Sequence, residues 1–145
     1  MTDIEMLQAV QNPDLDAETL DLMSKSENPF VRMRVAAHPN TSSQTLIELS
    51  NDDSAYVLEF VCEHLNTPEN VLVKLSEYEQ FAYWIGGNPN TPVSILEKLS
   101  QDEEENTRSS VAVNPNTPLD ILERLKNDEN EDVREAVKKN PKFKE

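Results

Sequence analysis

Residues 88–92 read Asn-Pro-Asn-Thr-Pro, and residues 114–118 repeat the same five letters. Looser copies, His-Pro-Asn-Thr-Ser and His-Leu-Asn-Thr-Pro, begin at His38 and His64. Successive copies start 24 or 26 residues apart. A short sequence that returns at such a period is typical of a repeat array. The pentapeptide therefore divides the chain into similar segments.

We predict one domain that contains about five repeats of 24–26 residues, which suits a chain of 145 residues. The segment before residue 12 is similar to the second half of a repeat, and we expect it to form an N-terminal cap. A tail follows the fifth repeat. The predicted ranges are 1–11 for the cap, 12–37, 38–63, 64–87, 88–113 and 114–139 for the repeats, and 140–145 for the tail.

Each repeat carries two pairs of residues at helical spacing. The first pairs lie three residues apart: Leu20/Met23, Leu46/Leu49, Leu72/Leu75, Leu96/Leu99 and Leu122/Leu125. The second pairs lie four residues apart: Val31/Val35, Val57/Val61, Phe81/Ile85, Thr107/Val111 and Val133/Val137. These spacings place both members of a pair on one face of a short helix. We therefore predict an all-α fold with a first and a second helix in every repeat, stacked as an α-solenoid because one helix pair cannot bury its own apolar face.

The pentapeptide predicts a corner between the second helix of one repeat and the first helix of the next. Its Asn or His is expected to end a helix in the left-handed conformation, and the Pro that usually follows cannot continue a helix. Thr67, Thr91 and Thr117 are expected to cap the next helix. The Pro after each of them is then expected in the first helical position.

The repeated motifs resemble those of the leucine-rich repeat variant family. Leu-x-x-Leu-Ser-x-Asp stands at Leu96–Asp102, Val-Arg-x-x-Val at Val133–Val137 and the pentapeptide at Asn114–Pro118. The resemblance covers nearly the whole chain and implies a HEAT-like, right-handed solenoid of short helices, which serves as a scaffold with many uses. Some members carry a cysteine cluster that binds an iron–sulfur centre. Because Cys62 is the single cysteine here, that cofactor is not expected.

Composition narrows the class of protein. The formal net charge is −15, from 28 acidic and 13 basic residues. Such a chain is repelled by a phosphate backbone, so we expect no direct nucleic-acid binding, and a basic protein partner or simple solubility explains the charge. No apolar run reaches the roughly 18 residues of a membrane span, and the N-terminus does not resemble a signal peptide. We therefore expect a cytoplasmic protein without a membrane partner.

The third repeat departs most from the others. It is two residues shorter, has Leu65 where Pro is usual, and contains both glycines of the chain, Gly86 and Gly87. Tyr83 and Trp84 occupy places that are mostly not apolar in the other repeats, so we expect both to be partly exposed. The glycines are interpreted as a helix ending, since a phosphate-binding loop needs a longer glycine motif.

An aromatic patch with an acidic rim is the candidate partner-binding surface. We expect the aromatic and apolar residues of the second repeat to lie beside those of the third, although the same bulk could instead fill a gap left by the shortened repeat. Aromatic anchors with charged surroundings are typical of protein interfaces. The predicted residues are Tyr56, Leu58, Phe60, Tyr83 and Trp84 for the patch and Asp52, Asp53, Glu59 and Glu63 for the rim.

Two sets of residues raise the question of chemistry. His38 and His64 occupy equivalent corners. They suggest a metal site or an acid–base pair with Glu63, or they simply replace the Asn of other corners. We favour the replacement, since a zinc site needs four ligands. Arg32, Arg108 and Arg134 also share one place in their repeats. They suggest an anion-binding ladder or ion pairs with nearby acids such as Glu27, Glu104 and Asp132, and we favour the pairs.

The sequence thus favours a non-catalytic protein–protein interaction module, an acidic adaptor or scaffold for a basic partner. We predict no catalytic residues, no metal and no cofactor. The alternative is an acidic inhibitor or immunity protein that imitates nucleic acid and blocks a nucleic-acid-binding enzyme.

Overall fold

The computed structural model describes residues 1–144, and these residues form α-helices and one short 3₁₀ helix without any strand. The all-α prediction is confirmed. The α-helices are α1 (Asp3–Ala9), α2 (Ala17–Met23), α3 (Pro29–Ala37), α4 (Ser43–Leu49), α5 (Ala55–Glu63), α6 (Glu69–Leu75), α7 (Ala82–Gly87), α8 (Val93–Leu99), α9 (Glu105–Val113), α10 (Leu119–Leu125) and α11 (Glu131–Lys139). The 3₁₀ helix Glu79–Phe81 precedes α7. Each predicted repeat range contains two α-helices, and α1 lies in the predicted cap.

The helices form two compact units, one from Met1 to Val71 and one from Leu72 onward. In the first unit α3 packs against α1 on one side and α5 on the other, and α2 and α4 also contact α3. In the second unit α9 holds the same position between α7 and α11, with α8 and α10 against it. Within each unit, second helices therefore pack beside second helices.

The cores of both units consist of the residue pairs predicted from helical spacing. Every member of the ten pairs is buried, and none exposes more than 4% of its surface. Thr107, the polar member of its pair, is as well buried as the apolar residues that replace it elsewhere. Burial of one face per helix explains why such short helices form here, since helices of six to nine residues are marginal in isolation.

The threonine of each pentapeptide bonds to the end of the preceding helix, and Thr41, Thr91 and Thr117 do not cap the next one. Its hydroxyl donates to the carbonyl six residues earlier, at 2.5 Å for Thr41 and 2.6 Å for Thr67, Thr91 and Thr117. The carbonyls of Val35, Ile85 and Val111 also accept the backbone N–H of the corner residue, so the hydroxyl adds a second bond at the helix end. Helices α8 and α10 begin one residue after the proline, whose backbone is extended. The predicted caps at Thr91 and Thr117, and proline in the first helical position, are therefore wrong.

The Asn or His that opens each pentapeptide is not left-handed, because no non-glycine residue among the described ones has a positive φ. Its side chain instead forms hydrogen bonds to backbone carbonyls. Nδ2 of Asn114 donates to the carbonyls of Gly86, at 2.8 Å, and Asn88, at 2.9 Å. Nδ2 of Asn140 donates in the same way to Ala112 and Asn114, both at 2.8 Å. The prediction of left-handed corners is wrong, and Asn114 and Asn140 instead reach back to the preceding corner.

Histidine makes the same contacts in the first unit. Nε2 of His64 lies 2.8 Å from the carbonyl oxygen of His38, and Nε2 of His38 lies 2.9 Å from that of Asn12. Each Nδ1 accepts a backbone N–H two residues on, just as Oδ1 of Asn114 does. Because Nδ1 is an acceptor, Nε2 carries the proton and donates it. We call the bonds from His38, His64, Asn114 and Asn140 to the preceding corner the corner ladder.

The second asparagine of the pentapeptide adds further bonds to the preceding corner. Nδ2 of Asn40 donates to the carbonyls of Pro13, at 2.9 Å, and Leu15, at 3.0 Å. Asn66 and Asn116 repeat the contact with their own preceding corners. Both asparagines and the threonine of the motif thus make side-chain bonds to backbone carbonyls, which explains why these letters return.

Replacing Asn114 with Ala should lower the free energy of unfolding by about 2–3 kcal/mol, because buried backbone carbonyls lose their donor. His64→Asn is the matched control and should cost less than about 1 kcal/mol, since Asn already performs this role in other corners. Urea unfolding followed by circular dichroism measures both. Equal stability of Asn114→Ala and wild type would contradict the role of the corner ladder.

Gly86 permits the close approach of α7 and α9. A Cβ atom at Gly86 would lie 2.4 Å from Ser110 Oγ and 3.2 Å from Val111 Cγ2. At Gly87 the nearest atom would be 3.9 Å away, which is ordinary contact. Both glycines stand in the last turn of α7, as expected for a helix ending. The first is therefore required by packing, and the second is not.

Gly86→Ala should destabilise the protein by about 1–3 kcal/mol, since it overpacks the contact between α7 and α9. Gly87→Ala should be neutral or stabilising by up to about 1 kcal/mol, because alanine favours the helix. Thermal and urea unfolding of the two variants provide the comparison. A second substitution, Ser110→Ala, should recover part of the loss in Gly86→Ala. Equal stability of the two glycine variants would show that the contact between α7 and α9 does not require a glycine at residue 86.

Candidate functional site

The predicted partner-binding residues are divided between the two units. Seven of them lie on α5 or just before it, in the first unit: Asp52, Asp53, Tyr56, Leu58, Glu59, Phe60 and Glu63. Tyr83 and Trp84 lie on α7, in the second unit. Tyr56 and Tyr83 are exposed, whereas Leu58, Phe60 and Trp84 are half-buried. Each of these five residues thus keeps some surface in contact with solvent.

Tyr83 and Trp84 form an edge-to-face pair. Their ring centroids are 5.5 Å apart and their planes make an angle of 89°. This geometry is favourable for aromatic rings and fixes both side chains. Phe81, in contrast, is buried in the core with Tyr78 against its edge. The aromatic cluster of the third repeat therefore contributes both to the core and to the surface, and the expected partial exposure of Tyr83 and Trp84 is observed.

A groove of about 430 Å³ lies at the ends of α3 and α5 in the first unit. Its walls are mostly apolar, and its lining contains Phe60 and Glu63 together with Ala37, Pro39 and Leu65. Leu65 is 68% exposed. The sequence marked Leu65 as a departure from the usual Pro but did not place it beside Phe60. The structure brings together these two side chains, which the repeat alignment puts in different repeats.

Ion pairs explain why Arg32 and Arg108 stand at the same position of their repeats. Arg32 binds the Asp52 carboxylate through two nitrogens, at 2.7 and 3.1 Å. Its third nitrogen, Nη1, donates to the backbone carbonyls of Ser26 and Glu27. Arg108 binds Asp128 in the same way, at 2.9 and 3.1 Å. A planar guanidinium suits such bidentate contacts. The favoured ion pairs exist for Arg32 and Arg108, but each acid lies in the turn between the two helices of the next repeat range.

The predicted acids Glu27 and Glu104 are therefore the wrong partners. Twenty residues separate each arginine from its carboxylate, so the pair joins one repeat range to the next. Arg134 makes a different contact and donates to the carbonyl of Asp128 at 2.6 Å, so Asp132 is not its partner either. Since these contacts occupy the guanidinium groups of Arg32 and Arg108, the arginines do not present an open ladder for anions.

Asp52 belongs to the fold more than to the candidate surface. Its side chain is only 6% exposed, against 95% for Asp53. Burial raises the pKa of the Asp52 carboxyl, but hydrogen bonds from Arg32 and from the Ser54 N–H outweigh burial and hold the pKa below its ordinary value. The carboxylate is thus already paired. We keep Asp53 in the proposed rim and leave Asp52 out.

Asp52→Asn should lower the free energy of unfolding at pH 7 by about 2 kcal/mol, because a charge-assisted bidentate contact is lost. The folded-state pKa is depressed, so the carboxylate stabilises the fold above its unfolded pKa of about 3.9 and loses that effect as pH falls through the folded pKa. The difference between wild type and variant should therefore shrink below about pH 4. Urea unfolding at pH 7, 5 and 3 measures it, with the exposed Asp53→Asn as control. A difference that is unchanged at pH 3 would contradict this assignment.

Cys62 does not supply a reactive thiolate. It is fully buried, and burial together with the nearby charge of Glu59 raises its pKa to about 12. A thiol with this pKa stays protonated at neutral pH. Across residues 1–144 no three His, Cys, Asp or Glu side chains gather in a way that could hold a metal ion. None of the described helices has the length and apolar character needed to cross a membrane.

No protein-family model, no curated protein and no solved structure matches this chain. The resemblance to the leucine-rich repeat variant family therefore rests on the motifs of the chain itself and remains a prediction. Function has to be inferred from the surface and the charge of the described residues.

Proposed function

We propose that this protein is a non-catalytic interaction module, an acidic helical-repeat adaptor or scaffold that binds a basic partner protein. We further propose that its helix pairs form an α-solenoid of the leucine-rich repeat variant type. The corner ladder supports this architecture, because each of its bonds joins neighbouring copies of one motif within a unit. A scaffold of this kind leaves its surface free to vary while the corners and the core stay constant.

The groove beside Phe60 is the observation that carries the binding proposal. An apolar cleft of about 430 Å³ accepts one or two side chains of a partner, and Phe60 and Leu65 supply apolar contact area. Glu63 places a carboxylate in the same lining. An apolar side chain flanked by Lys or Arg therefore fits the groove best.

The charge of the first unit favours the same class of partner. Residues 1–71 contain 13 acidic and three basic residues, a balance of −10. Lys25 and Arg32, two of the three bases, are paired with acids. Such a surface attracts a basic protein and accelerates its association. Tyr83 and Trp84 are proposed as an additional aromatic contact on the second unit.

Binding should depend on the apolar groove. A partner isolated by cross-linking from native extract, then purified, should bind Phe60→Ser and Trp84→Ala at least tenfold more weakly than wild type, because buried aromatic anchors dominate interfaces. Leu119→Ser removes an equally apolar, exposed side chain from α10 and should bind like wild type. Calorimetry gives the affinities, and circular dichroism checks that each variant is folded.

A nucleic-acid mimic would give the opposite pattern. The net charge alone favours this second function, in which the acidic surface occupies a nucleic-acid-binding enzyme. Affinity would then fall by a factor on the order of 10³ between 50 and 200 mM salt. It would also survive Phe60→Ser and Trp84→Ala. Full binding by both variants would therefore overturn the proposed adaptor.

A further inference from the structure

Three large apolar side chains stand at the same place on neighbouring helices of the first unit. Ile4, Phe30 and Tyr56 are each the second residue of their helices α1, α3 and α5, and 26 residues separate one from the next. They are 70%, 62% and 67% exposed. Since α3 packs against both α1 and α5, the three side chains form a row across adjacent helices. We call Ile4, Phe30 and Tyr56 the apolar row.

The fold does not require apolar residues at this place. The second residues of α9 and α11 are Asn106 and Asp132, which are polar and exposed. In α3, α5, α9 and α11 the residue that follows is buried, as Val31 and Val57 in the first unit and Thr107 and Val133 in the second, whereas Glu5 of α1 is exposed. These four helices therefore bury the same face whether their second residue is apolar or polar. Exposed apolar side chains that packing does not need are typical of an interaction site.

The spacing of the apolar row suits a helix. Packed helices lie about 8–10 Å apart, so successive members of the row recur at about that distance. A helix laid across α1, α3 and α5 presents the same face every seven residues, about 10.5 Å along its axis. Apolar residues at heptad spacing would then meet one member of the row after another.

The charges beside the row define the partner further. Exposed carboxylates lie close in sequence to each member: Asp3 and Glu5 flank Ile4, Glu27 comes three residues before Phe30, and Asp53 comes three residues before Tyr56. Arg34, four residues after Phe30, is an exposed base on the same helix. Acids thus outnumber bases around the row, so a basic partner is favoured over an acidic one.

We propose that the apolar row docks a basic amphipathic helix of a partner protein, laid across α1, α3 and α5. This inference rests on the proposed interaction function but concerns a different place on the first unit. The row lies at the first turns of α3 and α5, whereas the groove involves Ala37 and Glu63, the last residues of those helices. The two surfaces can therefore be tested separately.

The test uses a fluorescein-labelled synthetic peptide of about 21 residues, with Leu at heptad spacing on one face and Lys on the flanks. A scrambled peptide of the same composition has the same charge but no apolar face. Fluorescence anisotropy with the full chain should show binding of the heptad peptide and at least tenfold weaker binding of the scrambled one. Phe30→Ser should also weaken binding at least tenfold. Leu119→Ser should leave it unchanged, since it does not alter the row.

Each other outcome overturns the proposal. Equal binding of both peptides would show that charge alone acts. Loss of binding in Phe60→Ser but not in Phe30→Ser would assign the peptide to the groove, and the proposed function would stand without the row. Absence of binding would exclude a basic helix as the occupant. Dimerisation of the wild type in sedimentation, abolished by Phe30→Ser, would instead identify the row as a contact between two copies of this chain.

Discussion

The side-chain amide of Asn114 donates two hydrogen bonds to backbone carbonyls that lie 26 and 28 residues earlier. These carbonyls belong to the end of the preceding second helix and to the preceding corner. Because the amide is buried, the bonds are shielded from water, and a corner without such a donor would leave carbonyls unsatisfied. In the 26-residue repeats the length of a helix pair is thereby constrained, since a shifted corner would take its amide away from its acceptors. The period of the sequence is a consequence of this contact.

Other contacts depend on the spacing that the corner ladder sets. The Arg32 guanidinium meets Asp52 only when the turn of the next repeat range lies beside the start of α3. Gly86 faces Ser110 without a Cβ atom between them because α7 and α9 approach closely. Together with the buried pairs, these contacts account for the residues that recur. The residues that differ between repeats are left on the surface, where the groove and the apolar row are found.

Much of the fold could be predicted from the sequence because it depends on spacing. Pairs such as Leu96/Leu99 and Val133/Val137 lie on short helices, as their spacing indicates, and all are buried. The hydrogen bonds of individual corner residues could not be predicted in the same way. Whether the Thr117 hydroxyl caps the next helix or closes the last one depends on a difference of one residue in where α10 begins. Long-range contacts such as Asn114 to Gly86 leave no local signal at all.

The candidate site was predicted less completely than the fold. Phe60 was predicted because it lies beside Tyr83 and Trp84 in the repeat alignment, and Glu63 because it is one of the acids around that patch. Leu65 was noted only as a departure from the usual Pro, although it lines the same groove. Ile4 and Phe30 were missed although they obey the same period as Tyr56. The sequence places residues 1–11 in a cap that is similar to the second half of a repeat, but the exposure of Ile4 and Phe30 is seen only in the folded chain.

The most direct measurement of the central claim is hydrogen exchange at asparagine side-chain amides, followed by nuclear magnetic resonance. The Nδ2 protons of Asn114 and Asn140 are donated to buried acceptors, whereas Asn127 is exposed. We expect the first two to exchange at least a hundredfold more slowly than the third, because exchange then requires opening of the structure. Equal rates at all three residues would contradict the corner ladder and the account built on it.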